Sequence, residues 1–205
     1  MLVLSAKIAP RMGSYASLPV LVSPNPYRIL TENVTIDIKL DDQIKIVSTT
    51  VFRNMGGGST GRLVFSDGSM AKPAVVSASW DNKPISIQPM VGKNGKTMTC
   101  ATVPLGAQAT HALRLTVSGM LAKSGYAKDQ YIFHYRLAGS QPIGLFSLSY
   151  RYRPGSIFGL PKVEPDLGWE VGPKGASIRK TDFNPGNTES TIEFYRNAMN
   201  PLGAR

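Results

Sequence analysis

The sequence predicts an all-β protein: an antiparallel β-sandwich, jelly-roll or immunoglobulin-like, with an extended N-terminal arm. Three observations carry that expectation. Apolar side chains recur at every second position through most of residues 32–205, the period of a strand with one wet and one dry face. Turn residues punctuate the chain at roughly ten-residue intervals, the spacing of sandwiches rather than of alternating β–α units. Helical periodicity is almost absent.

Residues 1–31 hold Pro10, Pro19, Pro24 and Pro26 and one short apolar run, Leu18 to Val22. Proline removes a ladder donor, so this segment reads as an arm ending in a strand on a sheet edge. Residues 32–205 read as a single sandwich domain without internal repeats. In Glu32-Asn-Val-Thr-Ile-Asp-Ile-Lys-Leu40, Val34, Ile36, Ile38 and Leu40 share one face, with Glu32, Thr35, Asp37 and Lys39 taken as its wet positions. Asp41-Asp42-Gln43 is a turn, and Ile44 to Arg53 is the return strand of a hairpin. Gly56-Gly-Gly-Ser59 then breaks the pattern.

Arg62 to Phe65 leads to a turn at Asp67-Gly68. Ala74 to Trp80 and Pro84 to Met90 flank the compact turn Asp81-Asn82-Lys83, and Asn94-Gly95 is a second tight-turn signal. Thr97 to Val103 and His111 to Val117 follow as strands. Met120 to Asp129 suits a short helix or a long loop, and Tyr131 to Arg136 alternates again. The clearest alternation is Phe146-Ser-Leu-Ser-Tyr-Arg-Tyr-Arg153, with Phe146, Leu148, Tyr150 and Tyr152 opposed to Ser147, Ser149, Arg151 and Arg153. Pro154 to Pro173 is an extended excursion. Ala176 to Lys180 and Thr188 to Arg196 are the last two strands, joined through Asn184-Pro-Gly-Asn187.

Composition narrows the function classes. The chain has 205 residues, and its hydrophobic fraction of 42% is enough for a sizeable core. Cys100 is the single cysteine, so neither an intrachain disulfide nor a zinc or iron–sulfur site built from several cysteines can form within one chain. No apolar run reaches the length of a membrane span, and Lys7 interrupts the opening apolar stretch after six residues, unlike a secretory leader. His111 and His134 are the only histidines, each inside an alternating pattern, and read as structural. No serine sits in a Gly-x-Ser-x-Gly elbow, and Gly56 to Gly61 lacks the Gly-Lys-Ser/Thr ending of a phosphate loop. No catalytic residue, metal ligand or cofactor is expected, and the chain is read as a non-enzyme.

The remaining signal is charge: 23 Lys+Arg against 13 Asp+Glu give a net +10. Basic groups attract polyanions, yet no run of five occurs here. The densest group is Arg136, Arg151 and Arg153, interleaved with Tyr131, Tyr135, Tyr150 and Tyr152 on strands expected to be neighbours. Arginine with aromatics on a sheet face can stack bases or bind a polyanion. The candidate ligand-binding set is therefore Tyr150, Arg151, Tyr152, Arg153, Arg136 and Trp169, with Trp80 as an alternative to Trp169. The same pattern also describes an ordinary sandwich strand, tyrosines in and arginines out.

Pro24-Asn-Pro-Tyr-Arg-Ile-Leu-Thr-Glu-Asn-Val-Thr-Ile-Asp-Ile38, with a return strand ending Val51-Phe-Arg-Asn54, resembles the opening hairpin of extracytoplasmic bacterial β-sandwich domains of the vault/inter-alpha-trypsin-like type. Leu167-Gly-Trp-Glu-Val-Gly-Pro-Lys-Gly-Ala-Ser-Ile178 is similar to a turn of the same domains, departing from it at Pro173 and Lys174. The resemblance implies an exported, non-catalytic structural or adhesive module. The leading expectation is accordingly an extracytoplasmic or secreted interaction module whose partners are proteins or copies of itself, met through edge strands or the arm. A viral or phage-like jelly-roll shell protein and a carbohydrate- or polyanion-binding sandwich are the alternatives.

Overall fold

Alternation at every second residue leaves each strand with one face to bury, and the chain satisfies this by stacking sheets. The computed structural model describes residues 14–17, 19–65, 75–91, 97–124, 127–137, 141–186 and 188–197. In chain order its strands are β1 (Ser14–Ser17), β2 (Val20–Val22), β3 (Tyr27–Ile38), β4 (Gln43–Asn54), β5 (Ser59–Phe65) and β6 (Val75–Trp80). Next come β7 (Lys83–Pro84), β8 (Gln88–Val91), β9 (Thr97–Leu105), β10 (Thr110–Met120) and β11 (Gln130–Arg136). The last are β12 (Ile143–Tyr152), β13 (Lys162–Glu164), β14 (Glu170–Gly172), β15 (Gly175–Phe183) and β16 (Glu189–Tyr195).

These form an eight-stranded sheet, β14-β15-β12-β3-β4-β10-β6-β7, and two four-stranded sheets, β1-β11-β16-β13 and β2-β5-β9-β8. Pairing is antiparallel except at β3–β12 and β1–β11. Both small sheets pack on the same face of the large one. On one side Tyr150 of β12 meets Ser190 of β16, hydroxyl to hydroxyl at 2.9 Å. On the other, Trp80 of β6 donates its indole N–H to the carbonyl of Pro104 in β9 at 3.0 Å. The core between the layers is Val34, Ile36, Ile44, Ile46, Phe133, Phe146, Leu148 and their neighbours. The molecule is an all-β sandwich, as the sequence predicts.

Among the described residues each sheet ends in a short strand. β1 and β8 have four residues, β2, β13 and β14 three, and β7 two. Short edges offer little backbone for another chain to pair with. Val20–Val22 is an edge strand of one small sheet, and β3 begins at Tyr27. Met120 to Asp129 contains no helix among its described residues, only an isolated bridge from Lys123 to Tyr131. The turns expected at Asp67-Gly68 and Asn94-Gly95 lie outside the described residues. At Asp81-Asn82 both residues take positive φ, 51° and 64°, the mark of a two-residue primed turn. The run Pro84 to Met90 is split: its first residue pairs with β6 in the large sheet, and Gln88 onward pairs with β9 in a small one. The glycine-rich loop after β4 turns its Gly57 carbonyl toward the side-chain amides of Asn54 and Asn25, at 2.9 and 2.7 Å, and serves as a connection.

Glu32 departs from the sequence reading. It shares the phase of Val34, Ile36 and Ile38 and is 3% exposed, on the dry face of β3. The phase is set by an irregularity. Ile29 pairs with Phe52 and Thr31 with Val51, so Leu30 is an extra residue relative to β4. At the same level β12 changes phase at Gly144, between buried Ile143 and buried Phe146, and β15 carries Asp182 at φ 48°. A Cβ on Gly144 would lie 2.8 Å from the Leu30 carbonyl oxygen, so only glycine fits that approach.

Candidate functional site

The two small sheets cover one face of the large sheet, and the opposite face is its outer surface. Register and alternation fix what that surface presents. One row across six strands reads Arg179, Ser147, Asn33, Thr49, Arg114, Ser79. The next reads Ser177, Ser149, Thr35, Val47, Thr116, Ser77, and Glu170 of β14 extends it at the edge. Neighbouring strands are about 4.8 Å apart, so each row crosses roughly 24 Å of surface. The first row holds two guanidinium groups and no carboxylate. A third row sets Asp37 between Arg151 and Lys45, so its one carboxylate is flanked by two cations.

A cleft of about 360 Å³ indents this face where the Gly168–Glu170 segment borders β12 and β15. Ser147, Ser149, Ser177, Arg179 and Glu170 line it. Ser147 donates its hydroxyl to Asn33 Oδ1 at 2.7 Å, holding the amide across the β12–β3 boundary. Hydroxyls, an amide, a guanidinium and a carboxylate can hydrogen-bond a polar, hydroxylated or anionic ligand.

The residues expected to bind are divided by the fold. Arg151 stands on the outer face and Arg153 is exposed just beyond β12. Tyr150 is fully buried and Tyr152 is 6% exposed, its phenol donating to the Gly172 carbonyl at 2.5 Å. Burial raises the pKa of both phenols. These tyrosines are core residues and present no ring to a ligand. Arg136 is exposed at the end of β11, in a small sheet, whereas β12 has β15 and β3 as neighbours, so it does not join Arg151 and Arg153. Tyr131 and Tyr135 of the same strand are buried. Trp169 packs over Tyr150, ring centroids 5.7 Å apart, and donates its indole N–H to the Pro165 carbonyl, 2.9 Å. Trp80 is buried between Phe52 and His111. Sequence alone does not single out Arg114, Arg179 or the serine–threonine rows; their alternation is visible, but the neighbours that align them are distant in the chain.

Both histidines are held by carboxylates. His111 Nδ1 lies 2.7 Å from Asp81 Oδ2, and its Nε2 accepts the Gly106 N–H at 2.9 Å, which places its proton on Nδ1. His134 is fully buried, with Nδ1 2.7 Å from Glu189 Oε1 and 3.1 Å from Thr191 Oγ1. Among the described residues no group of three or more His, Cys, Asp or Glu is placed to hold a metal ion, and no helix is long and apolar enough to cross a membrane.

No protein-family model matches the chain, and no curated protein matches it by sequence. Solved structures do share its fold. One is a "putative nutrient binding protein" from Legionella pneumophila subsp. pneumophila str. Philadelphia 1, with a TM-score of 0.70 and 14% identity over 90% of this chain and 72% of that one. Yeast LTA4 hydrolase in complex with bestatin gives a TM-score of 0.52 at 8% identity, covering 82% of this chain and 28% of the enzyme. A two-domain M1 zinc metallopeptidase bound to L-arginine gives 0.50 at 13% identity, covering 85% of this chain and 43% of the enzyme. The chain therefore spans less than half of either enzyme. At these identities the likeness is one of fold.

Proposed function

We propose that this chain is a non-catalytic, extracytoplasmic binding module that holds an anionic glycan on the outer face of its eight-stranded sheet. The row Arg179–Ser147–Asn33–Thr49–Arg114–Ser79 carries the reading: cations at separated points with hydroxyls and an amide between them. Sulfate or carboxylate groups on a sugar chain match the arginines, and sugar hydroxyls match the serine and threonine side chains. The aromatic side chains of β12 point into the core, so from Ser147 to Arg151 the strand that looked suited to stacking nucleobases offers only serine and arginine outward. The two histidines have structural partners, which favours gripping over general acid–base chemistry. The likeness to a structure described as nutrient-binding points the same way.

Heparin chromatography tests the proposal. The double variant Arg114→Glu/Arg179→Glu should elute at clearly lower salt than the parent protein. A control of equal net charge, Lys128→Glu/Lys162→Glu, should elute between them and close to the parent, because salt-dependent retention counts the cations that meet the polymer. Equal shifts in the two double variants would show that only net charge matters and would remove this face from the function.

A further inference from the structure

The irregularity at Leu30 has an effect on charge. Along the rest of the β3–β4 hairpin the pairing runs Thr31 with Val51, Glu32 with Thr50, and so on to Ile38 with Ile44. Continued without interruption, it would set Arg28 opposite Asn54 and Ile29 opposite Arg53. The extra residue instead sets Arg28 opposite Arg53, and both are exposed on the outer face. Thr110 of β10, also exposed, is the partner of Arg53 on its other side. Three donors thus stand in one line across β3, β4 and β10.

Directly opposed residues have Cβ atoms about 4.5–5.5 Å apart, and like charges so placed repel. Neither arginine belongs to an ion pair among the described residues. Among the described residues, the carboxylates closest by register on this side, Asp182 of β15 and Asp81 beyond β6, each lie two strands across and two residues along, about 12 Å. Asp81 is already bound to His111 and to the Ala112 N–H. Two planar guanidinium forks with no carboxylate between them match one tetrahedral oxyanion, which can take a pair of N–H bonds from each and turns their repulsion into attraction. We infer that Arg28 and Arg53, with Thr110 beside them, form a subsite for a single sulfate or phosphate group. This rests on the reading of the outer face as an anion-binding surface and assigns it a point of strongest hold.

A double-mutant cycle on the full chain tests the inference. Arg28→Gln, Arg53→Gln, the double variant and the parent are unfolded thermally in sodium chloride, then in sodium sulfate and in sodium phosphate at matched ionic strength. In chloride each single variant should match or exceed the parent in Tm, since removing one arginine relieves repulsion. In sulfate or phosphate the parent should gain several degrees more than any variant, reversing the sign of the coupling between the two positions. A heparin hexasaccharide added in place of the free ion separates the sources: a larger parent-specific gain at equal sulfate content assigns the subsite to a group carried on a glycan. Equal gains for all four proteins in every anion would overturn the subsite. The glycan reading fails separately, if heparin retention ignores Arg114 and Arg179 while the sulfate-dependent coupling persists.

Discussion

Asp42 and Arg196, 154 positions apart, close one end of the sandwich together. The guanidinium donates from Nε to Asp42 Oδ1 at 3.2 Å and from its terminal nitrogen to the Lys39 carbonyl, while the Tyr131 phenol donates to Asp42 Oδ2 at 2.7 Å. Arg196 also lies over the rings of Tyr131 and Phe194, 5.5 Å from each centroid. One carboxylate in the β3–β4 turn therefore ties the large sheet to the end of β16. Its φ of 60° is a conformation that Asp and Asn tolerate well.

Asp42→Ala should cost about 2 kcal/mol, since it strands a mostly buried guanidinium and removes an acceptor from Tyr131. Asp42→Asn keeps the turn conformation and one acceptor and should cost about 1 kcal/mol. Urea unfolding of the two variants against the parent checks the order.

Glu32 should make stability depend on pH. Burial raises its carboxyl pKa from 4.5 to about 7. The folded protein then holds a proton that the unfolded chain has lost between those values, so stability falls as pH rises. The contribution is full below about 4.5, declines through the interval and is gone above about 7. The difference corresponds to about 3 kcal/mol. Glu32→Gln removes the titration: the variant should match the parent near pH 4 and exceed it near pH 8 in urea midpoint. Parallel pH profiles for the two proteins would contradict this.

At Gly175 a Cβ would lie 2.3 Å from the Tyr150 carbonyl oxygen, a backbone atom that cannot swing aside. Gly175→Ala should cost about 3 kcal/mol and loosen the pairing of β12 with β15. Loss of amide-exchange protection along β15 (Gly175–Phe183) would accompany the fall in Tm.

Asp81 accepts both the His111 Nδ1 proton and the Ala112 N–H, the latter at 2.8 Å, from a turn with positive φ. Asp81→Ala should cost about 2 kcal/mol and Asp81→Asn less, because asparagine tolerates the same conformation and can still accept one of the two bonds. Thermal unfolding at fixed pH separates them.

Periodicity made the strands legible and left their neighbours hidden. In β12 the alternation alone sorted Phe146, Leu148, Tyr150 and Tyr152 from the residues facing outward, because a pleated strand permits no other arrangement. The same rule buries Glu32, which shares the phase of Val34, Ile36 and Ile38, although from sequence it is read among the wet positions. Arg136 was grouped with Arg151 because both lie on tyrosine-rich strands; the sandwich sends β11 and β12 to different layers. The Arg114–Arg179 row and the Arg28–Arg53 pair need the strand order and one inserted residue, neither of which leaves a local trace.

Among the described residues the outermost strand of each sheet has at most four residues, so side-on pairing with it is short. Broadside contact remains, and it favours targets that can lie flat: a rigid, extended chain aligned across the strands would follow one row from end to end, whereas a globular partner would rest on a few positions.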